Sequence, residues 1–212
     1  MYKHFFKRAI DILVSLIALP FVLLVVAVCA PLIYFTDKGP VFYNATRRGR
    51  NGKTFTMYKL RSMYVNSPVL KNSDGSTLTS DTDPRVTKIG RILRKLSLDE
   101  FPQFLNVLKG DMSLVGPRPT LANTPYEELP DDRKKRLAVR PGVTGYAQAY
   151  FRNSITQDEK FAHDCEYVDR VSFIFDVKIL FMTAYSVVAS KNINANEQPA
   201  TVPAAEEAKV GE

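Results

Sequence analysis

Cysteine is scarce in this 212-residue chain, which has two cysteines, Cys29 inside an apolar run and Cys165 far from it. Two such thiols favour neither a disulfide framework nor a metal knuckle. They are typical of a protein kept in a reducing compartment. The chain also lacks internal repeats, and its length suffices for one domain with a real core.

Acidic residues are few as well: 22 Asp and Glu face 29 Lys and Arg, which gives a net charge of +7 and a pI near 9.4. This excess indicates an anionic partner, either nucleic acid, an acidic membrane surface or a phosphorylated substrate. No nucleic-acid recognition motif accompanies the charge, so nucleic acid is disfavoured. The apolar N-terminus favours a membrane, because each basic residue beside it adds about 1 kcal/mol of attraction to anionic lipid.

Charge is absent from Ile12 to Phe35. The run is about 24 residues long. At about 1.5 Å per residue, a straight helix of this length would be long enough to cross a bilayer core. A cleaved signal peptide is disfavoured, because the apolar core of such a peptide is shorter than this run. A spanning helix and a re-entrant helix that dips into one leaflet remain as alternatives.

Two features favour the re-entrant form. Pro20 kinks or breaks a helix, and basic residues, which collect on the cytoplasmic side of membranes, flank both ends of the run. The flanking residues are Lys3, Lys7, Arg8, Lys38, Arg47, Arg48 and Arg50. Asp11, one helical turn beyond Lys7 and Arg8, is predicted to pair with them near the interface. We therefore predict a re-entrant membrane helix over residues 1–36.

The next segment predicts a β-hairpin. Asn51-Gly52, the strongest short hairpin signal, lies between two β-prone runs, Gly39–Tyr43 and Thr54–Tyr58. Lys59 and Arg61 extend the second run. By charge pattern alone, the basic residues of this hairpin are typical of an ordinary solvated surface.

The polar stretch from Asn66 to Asp83 predicts a loop. Asp83 and Pro84 then predict a helix start, as N-cap and first helical residue. This basic amphipathic helix lies either in the lipid interface or with its apolar face on the core. The apolar residues 173–189 predict a core or interfacial helix, and residues 191–212 a flexible tail.

The most informative stretch runs from Ser97 to Pro119 and begins with the adjacent carboxylates Asp99 and Glu100. One interpretation is a capping box formed by Ser97 and Glu100, although Pro102 strains it by falling beyond the first turn. The functional interpretation is a working pair. Adjacent carboxylates bind Mg²⁺ together with substrate phosphates, and an aspartate attacks phosphorus to form an acyl phosphate.

Two loops add cations to this stretch. Arg118 lies between Pro117 and Pro119, which stiffen the backbone. A guanidinium on such a loop binds phosphate in bidentate fashion, although a surface arginine in a turn has the same pattern. Arg140 opens a second loop, residues 140–145, whose glycines allow backbone N–H groups to approach an anion.

Taken together, these blocks resemble the monotopic phosphoglycosyl transferases, bacterial sugar transferases that start lipid-linked glycan assembly. The resemblance runs from about Lys7 to about Ala189. Its markers are Lys7-Arg8-x-x-Asp11, Gly39-Pro40-Val41-Phe42, Tyr58-Lys59-x-Arg61-x-Met63, Ser97-Leu98-Asp99-Glu100-x-Pro102-Gln103, Asn106-Val107-Leu108-Lys109-Gly110-Asp111-Met112-Ser113, Gly116-Pro117-Arg118-Pro119 and Arg140-Pro141-Gly142-x-Thr144-Gly145. Where this family often has Ser-Pro at the helix break, the chain has Leu19-Pro20.

The resemblance implies an α+β fold, mainly α. We expect an N-terminal re-entrant membrane helix (residues 1–36), then a β-hairpin and interfacial amphipathic helices around a compact catalytic core (residues 37–190), and a flexible tail (residues 191–212). The chain looks like the small form of the family, which is essentially the catalytic unit. The implied location is the cytoplasmic face of the bacterial inner membrane, in one leaflet.

The resemblance also implies a ping-pong reaction with Mg²⁺. Asp99 matches the nucleophile and metal ligand, and Glu100 the second acid of the dyad. The residues matched to phosphate or nucleotide binding are Arg118, Pro117, Pro119, Arg140, Lys59 and Arg61. The residues matched to the membrane anchor are Lys7, Arg8, Asp11 and Pro20.

The implied partners are a UDP-sugar and a polyprenol phosphate (undecaprenyl phosphate), with UMP released in the first membrane step of glycoconjugate or polysaccharide biosynthesis. The sugar, the polyprenol length and whether the chain forms a homo-oligomer stay open. A second hypothesis is a non-catalytic, membrane-anchored scaffold of glycan assembly.

Overall fold

A computed structural model of the protein describes residues 2–68, 83–151 and 154–189. Most of the predicted loop after Asn66, and the predicted tail from Lys191, lie outside these ranges. The fold is mainly helical α+β, as predicted. The helices are α1 (Lys7–Asp37), α2 (Lys88–Lys95), α3 (Gln103–Lys109), α4 (Asp131–Arg136), α5 (Tyr146–Tyr150), α6 (Gln157–Arg170) and α7 (Phe173–Val188). The strands are β1 (Ala45–Arg48), β2 (Thr54–Met57), β3 (Ser113–Val115), β4 (Thr120–Leu121) and β5 (Gly142–Thr144).

Helix α1 carries the apolar run and is the one described helix that is long and apolar enough to cross a membrane. Its exposed large apolar side chains are Leu13, Val14, Leu16, Ile17, Phe21, Leu23, Leu24, Val28, Leu32, Tyr34 and Phe35. The helix continues through Pro20 and Pro31, so Pro20 does not divide it in two as predicted. A proline's fixed φ fits a helix and removes a single backbone hydrogen bond, a loss that long apolar helices tolerate.

Both ends of α1 are bound to the rest of the fold. Near the first end, the backbone N–H of Leu114 donates to the Asp11 carboxylate at 3.1 Å. At the other end, Asp37 accepts two hydrogen bonds from Arg61, both at 2.6 Å. Between them the helix contributes to an apolar cluster of Cys29, Ile33, Leu60 and Leu93. One face of α1 therefore follows the domain along its length, and its other apolar side chains are left uncovered.

Strands β1 and β2 form an antiparallel pair around a 3₁₀ turn, Arg50–Gly52. The cross-strand pairs are Ala45–Met57, Thr46–Thr56, Arg47–Phe55 and Arg48–Thr54. Asn51 and Gly52 have φ of 55° and 78°, the left-handed backbone that asparagine and glycine tolerate best. The first strand begins later than the predicted run at Gly39–Tyr43, within which Phe42 makes an isolated bridge to Leu60.

Helix α2 begins four residues later than the predicted start at Asp83 and Pro84, which is therefore wrong. Val86 forms an antiparallel bridge with Met63, so this segment is held extended by a tertiary contact. The helix starts after Thr87, whose side chain accepts the backbone N–H of Gly90 at 2.9 Å as N-cap.

The core lies where parallel strands β3 and β5 meet α3, α5, α6 and α7. Its buried members are Met57, Val107, Met112, Leu114, Val115, Ala149, Tyr167 and Ile179. Helix α7 contributes to the core through Ile179, which is completely buried, whereas other apolar residues of the helix are exposed. Those are Phe173, Ile174, Val177, Leu180, Phe181 and Tyr185.

Candidate active site

The two adjacent carboxylates lie on a 3₁₀ turn, Leu98–Glu100, between α2 and α3. Ser97 before it has φ 56° and its side chain caps nothing, so the predicted capping box of Ser97 and Glu100 is wrong. Pro102 explains the difference, because its missing N–H and its ring prevent a regular helix from running through it. Helix α3 therefore starts after Pro102, and the carboxylates occupy the tighter turn that leads into it.

Helix α3 is fixed to the hairpin by Asn106, which is completely buried. Its side chain donates to the carbonyl of Thr56 at 2.7 Å and accepts the backbone N–H of Tyr58 at 2.9 Å. A third hydrogen bond, between backbone groups, runs from the N–H of Leu60 to the carbonyl of Asp99 at 2.9 Å and joins the end of the hairpin to the carboxylate turn. These contacts place the residue between Tyr58 and Leu60 opposite the carboxylates.

That residue is Lys59, whose ammonium lies between the two acids. Its Nζ is 2.9 Å from Oδ2 of Asp99 and 3.4 Å from Oε1 of Glu100. Asp99 is 2% exposed, and within the described residues its Oδ2 receives no hydrogen bond of acceptable geometry. Lys59 therefore neutralises this buried oxygen, and no hydrogen bond from the described residues occupies its lone pairs.

Arg118 approaches the same acids from the loop that follows β3. Its Nη2 donates to Oε1 of Glu100 at 3.0 Å, although the side chain is 55% exposed. The loop is held from behind by Arg136, which donates to the carbonyl of Arg118 at 2.6 Å and pairs with the buried Asp164 at 2.5 Å. The backbone of Arg118 is thus fixed, and its guanidinium keeps donors for a ligand.

These charges determine the ionisation of Glu100. Burial by itself raises the pKa of Glu100, but the positive charges of Arg118 and Lys59 outweigh burial and hold this pKa at about 2. In return, Glu100 raises the pKa of Arg118. Both groups are therefore ionised at neutral pH.

The lowered pKa of Glu100 predicts a pH-dependent contribution to stability. Its contribution is complete above its unfolded pKa, about 4.3, and is lost as the pH falls toward its folded pKa of about 2. We expect Glu100→Gln to unfold at a lower temperature than the wild type at neutral pH, and this difference to shrink below about pH 4. Thermal unfolding in detergent followed by circular dichroism measures it, and a Tm difference independent of pH would contradict the ion pairs.

A small cavity of about 40 Å³ lies beside the carboxylate turn. Its lining residues are Arg47, Met57, Glu100, Gln103, Arg118, Pro119 and Gly142. Arg47 was assigned only to the basic flank of the apolar run, although strand alternation places it on the same face as Met57. Burial, and secondarily Arg118, lower the pKa of Arg47, which indicates that two guanidiniums face one small space. Such a pair is suited to a phosphate group.

The structure does not bring the Arg140 guanidinium to the carboxylates. Its Nε donates to the carbonyl of Gly110 at 2.8 Å, and the side chain lines a second cavity. The backbone after Arg140 supports the arginine loop instead, because the N–H of Gly142 donates to the carbonyl of Pro117 at 3.0 Å. A Cβ at Gly116 would lie 2.4 Å from the carbonyl of Arg140, so only glycine permits this approach.

Arg61, predicted to bind phosphate, is also not at the site. It is buried and binds Asp37 together with the carbonyls of Ile33, Pro40 and Met63. Its guanidinium therefore ties the end of α1 to the segment after the hairpin.

This placement predicts that Arg61→Gln reduces stability without weakening donor binding. Breaking the pair with Asp37 is expected to cost about 3 kcal/mol, which lowers Tm by roughly 6–12 °C. Thermal unfolding and the KM for the donor, measured below the lowered Tm, separate the two roles. A tenfold rise in KM with unchanged Tm would show that Arg61 binds phosphate after all.

The predicted anchor residues Lys7, Arg8 and Asp11 bind the domain and form no ion pair with one another among the described residues. Lys7 pairs with Asp176 at 2.7 Å, and Asp11 accepts the bond from Leu114 described above. The predicted pairing of Asp11 with Lys7 and Arg8 is therefore wrong. Arg8 donates to two carbonyls in the last turn of α3, at 2.6 and 3.1 Å, and so caps the helix that follows the carboxylates.

The donor set available to a metal ion is the pair Asp99 and Glu100. Within the described ranges, His, Cys, Asp and Glu form no group of three that could hold a metal. Mg²⁺, however, takes one or two carboxylates together with substrate phosphates and water. The oxygen of Asp99 that receives no hydrogen bond is a suitable ligand atom, so these residues fit a magnesium ion completed by a phosphorylated substrate.

Comparison with known proteins supplies the family. Residues 2–190 match the model of a family described as bacterial sugar transferase. The uncharacterised sugar transferase EpsL of Bacillus subtilis is 41% identical over 188 residues, which are 88% of this chain and 89% of EpsL.

Two longer relatives have more specific names. The UDP-N-acetylgalactosamine-undecaprenyl-phosphate N-acetylgalactosaminephosphotransferase of Aeromonas hydrophila is 39% identical over 87% of this chain and 44% of its own length. The UDP-glucose:undecaprenyl-phosphate glucose-1-phosphate transferase of Escherichia coli is 38% identical over 87% of this chain and 40% of its own length. The chain thus spans less than half of these two relatives. The match over residues 2–190 shows that the chain belongs to the bacterial sugar transferase family, as its motifs predicted.

Proposed function

We propose that this enzyme transfers a sugar 1-phosphate from a UDP-sugar to a polyprenol phosphate such as undecaprenyl phosphate, and releases UMP. The observation that carries the proposal is the buried Asp99 carboxylate, which Lys59 neutralises and whose neighbour Glu100 pairs with the Arg118 guanidinium at a small cavity. The family and the names of the two longer relatives support the same substrates.

In the first step, an oxygen of Asp99 attacks the β-phosphorus of the donor. A new bond forms between this oxygen and phosphorus, and the bond from phosphorus to the bridging oxygen breaks. UMP leaves with the bridging oxygen, and the sugar phosphate stays on Asp99 as an acyl phosphate. Lys59 aligns the carboxylate before attack. Its positive charge also stabilises the negative charge that develops on the phosphoryl group.

In the second step, a phosphate oxygen of polyprenol phosphate attacks the same phosphorus. The bond between phosphorus and Asp99 breaks, which restores the carboxylate and gives polyprenol-diphosphate-sugar. No oxidant or further reactant is needed, and the two half-reactions have ping-pong kinetics. Arg118 on its fixed loop binds phosphoryl oxygens in both steps.

We further propose that Asp99, together with Glu100, holds Mg²⁺ at this site. When bound, the ion neutralises phosphate oxygens and supplies Lewis-acid stabilisation of the developing charge. Glu100 fits a ligand or orienting role because its pKa is held low, so it is ionised at working pH. It also keeps Arg118 and Lys59 aligned.

We propose the cytoplasmic face of the bacterial inner membrane as the location, with residues 1–36 as a re-entrant helix in one leaflet and residues 37–190 as the catalytic domain. The support is that both ends of α1 bind one domain, through Asp11 and Asp37. At about 1.5 Å per residue, the 31 residues of α1 extend about 46 Å. A helix that crossed the whole bilayer would separate its two ends on opposite faces.

This topology predicts the accessibility of engineered cysteines. Single cysteines at Lys3 and Lys38, in a background without the native thiols, are expected to react from the cytoplasmic face in membrane vesicles. Pro20→Leu is expected to restore the backbone hydrogen bond that the proline removes, to stiffen α1 and to reduce activity several-fold. Pro31→Leu is the control, since the helix near it is packed on the domain through Ile33. Labelling of positions 3 and 38 from opposite faces would contradict the re-entrant arrangement.

The function itself is tested by release of UMP. The purified protein, Mg²⁺ and undecaprenyl phosphate are mixed with a panel of UDP-hexoses, UDP-N-acetylhexosamines and a UDP-diacetamido sugar. We expect repeated turnover with at least one donor, and parallel lines in double-reciprocal plots. Absence of UMP release and of donor binding across the panel would instead support a non-catalytic scaffold.

A further inference from the structure

A second cavity, of about 280 Å³, opens between the hairpin turn and the loop after α3. We call it the turn cavity. Its lining residues are Gly49, Arg50, Asn51, Lys53, Thr54, Phe55, Gly110, Asp111 and Arg140. Its volume lies just below the roughly 300–1,000 Å³ of small-molecule sites, so it suits a part of a nucleotide sugar better than the whole molecule.

The wall formed by the hairpin turn is fixed by contacts outside the hairpin. The N–H of Asn51 donates to the carbonyl of Leu137 at 2.8 Å. A Cβ on Gly52 would lie 2.5 Å from the ring of Tyr126, which shows how closely the turn packs there. On the opposite wall, Arg140 is held by its bond to Gly110. The cavity is therefore preorganised by tertiary contacts.

Positive charge dominates this lining. Three of its side chains are cationic (Arg50, Lys53 and Arg140) and one, Asp111, is anionic. Within the described parts of the chain, none of the three cations forms an ion pair, and burial, then Arg50, lower the pKa of Arg140. Cations crowded in this way are relieved by an anionic ligand.

The turn cavity lies next to the small cavity beside the carboxylates, as the positions of their lining residues show. Met57 lines the small cavity and Phe55 the turn cavity, two residues apart on one face of β2. On the wall opposite β2, Gly142 lines the small cavity and Arg140 lines the turn cavity. Two residues of extended chain span about 7 Å, so the cavities are neighbours along both walls.

We infer that the turn cavity binds the nucleoside 5′-monophosphate half of the donor, the part that leaves as UMP. This inference rests on the proposed function, which places the β-phosphate beside Asp99 and Arg118. The α-phosphate and uridine must then extend away from the carboxylates, and the turn cavity adjoins the small cavity beside those carboxylates.

Its lining matches this half-molecule group by group. Arg50, Lys53 and Arg140 offer donors to the α-phosphate. Asp111 is an acceptor for ribose hydroxyls, and the ring of Phe55 offers a face for the pyrimidine. Asn51 has both a donor and an acceptor in its side chain for the polar edge of the base.

Calorimetry with UMP tests the inference on the full-length protein in detergent. The variant is Arg50→Gln/Lys53→Gln, in which both positions are exposed. The control is Arg91→Gln/Lys95→Gln on α2, which removes the same charge from exposed positions outside both cavities. We expect the affinity for UMP to fall at least tenfold in the variant and less than twofold in the control. Equal affinities in variant and wild type, or no UMP binding by the wild type, would overturn the inference.

The half-reactions distinguish a nucleotide site from a site for a lone phosphate or a lipid headgroup. Loading from the UDP-sugar is expected to need at least tenfold more donor in the variant. Discharge of the loaded enzyme to polyprenol phosphate is expected at the wild-type rate, because UMP has already left. Slowed discharge, or competition by inorganic phosphate as strong as by UMP, would overturn the inference. Failure of the wild type to load any donor would count against the proposed function alone, since UMP calorimetry does not depend on loading.

Discussion

Asp99→Asn is expected to abolish covalent loading and to reduce turnover by about 10³-fold or more. The asparagine side chain has the same volume, but its amide oxygen cannot form a stable acyl phosphate. It also lacks the charge that pairs with Lys59 at 2.9 Å. Turnover is measured by UMP release with saturating donor and acceptor, and Tm is measured in parallel to show that the variant is folded.

The matched control for this change is Asp169→Asn on α6. Asp169 pairs with Lys135 on the surface, and its side chain is 57% exposed, so this pair contributes little to stability. We expect wild-type turnover from the control. Turnover above one tenth of wild type in folded Asp99→Asn would contradict the role of Asp99 as nucleophile.

Arg136→Met is expected to reduce both stability and activity. It leaves the carboxylate of Asp164 buried without a partner, which costs about 3–5 kcal/mol of unfolding free energy and lowers Tm by roughly 6–20 °C. It also removes the donor to the carbonyl of Arg118, so the loop loses its support and the KM for the donor rises about tenfold. Thermal unfolding and steady-state kinetics at a permissive temperature measure the two effects.

A double variant separates these effects. Arg136→Met/Asp164→Leu removes both buried charges and is expected to recover most of the lost stability, because an apolar pair replaces a buried ion pair at little cost. The carbonyl of Arg118 still lacks its donor, so the raised KM is expected to persist. Recovery of KM together with Tm would mean that Arg136 acts through stability alone.

Sequence reasoning succeeded where short-range chemistry decides the structure. The hairpin turn follows from Asn51-Gly52, whose two residues both adopt left-handed backbone. The resemblance matched Asp99 and Glu100 to catalysis and Lys59 to phosphate binding, and the structure brings the three within salt-bridge distance. The family assignment from these motifs is confirmed by the match over residues 2–190.

It failed where tertiary contacts override local preference. The helix predicted at Asp83 starts later because Val86 is bridged to Met63, a contact between distant segments. The capping box at Ser97 is absent because Pro102 delays the helix.

Residues that act through distant partners have no local signature. The pair of Arg136 and Asp164 is separated by 28 positions, and the pair of Arg61 and Asp37 by 24. Conversely, Arg61 lies in a motif that suggested phosphate binding, yet its guanidinium donates hydrogen bonds to Asp37 and to backbone carbonyls. A cation's sequence neighbours therefore predict its chemistry less well than the anions that the fold places around it.

Intact-protein mass spectrometry, after mixing the enzyme with Mg²⁺ and a UDP-sugar in the absence of lipid acceptor, tests most directly whether Asp99 carries the sugar phosphate. We predict a mass increase equal to one sugar phosphate, absent in Asp99→Asn and removed when polyprenol phosphate is added. The donor that produces the increase also identifies the sugar. Steady UMP release that requires acceptor, with no increase in mass at any time, would show direct transfer and contradict the covalent intermediate.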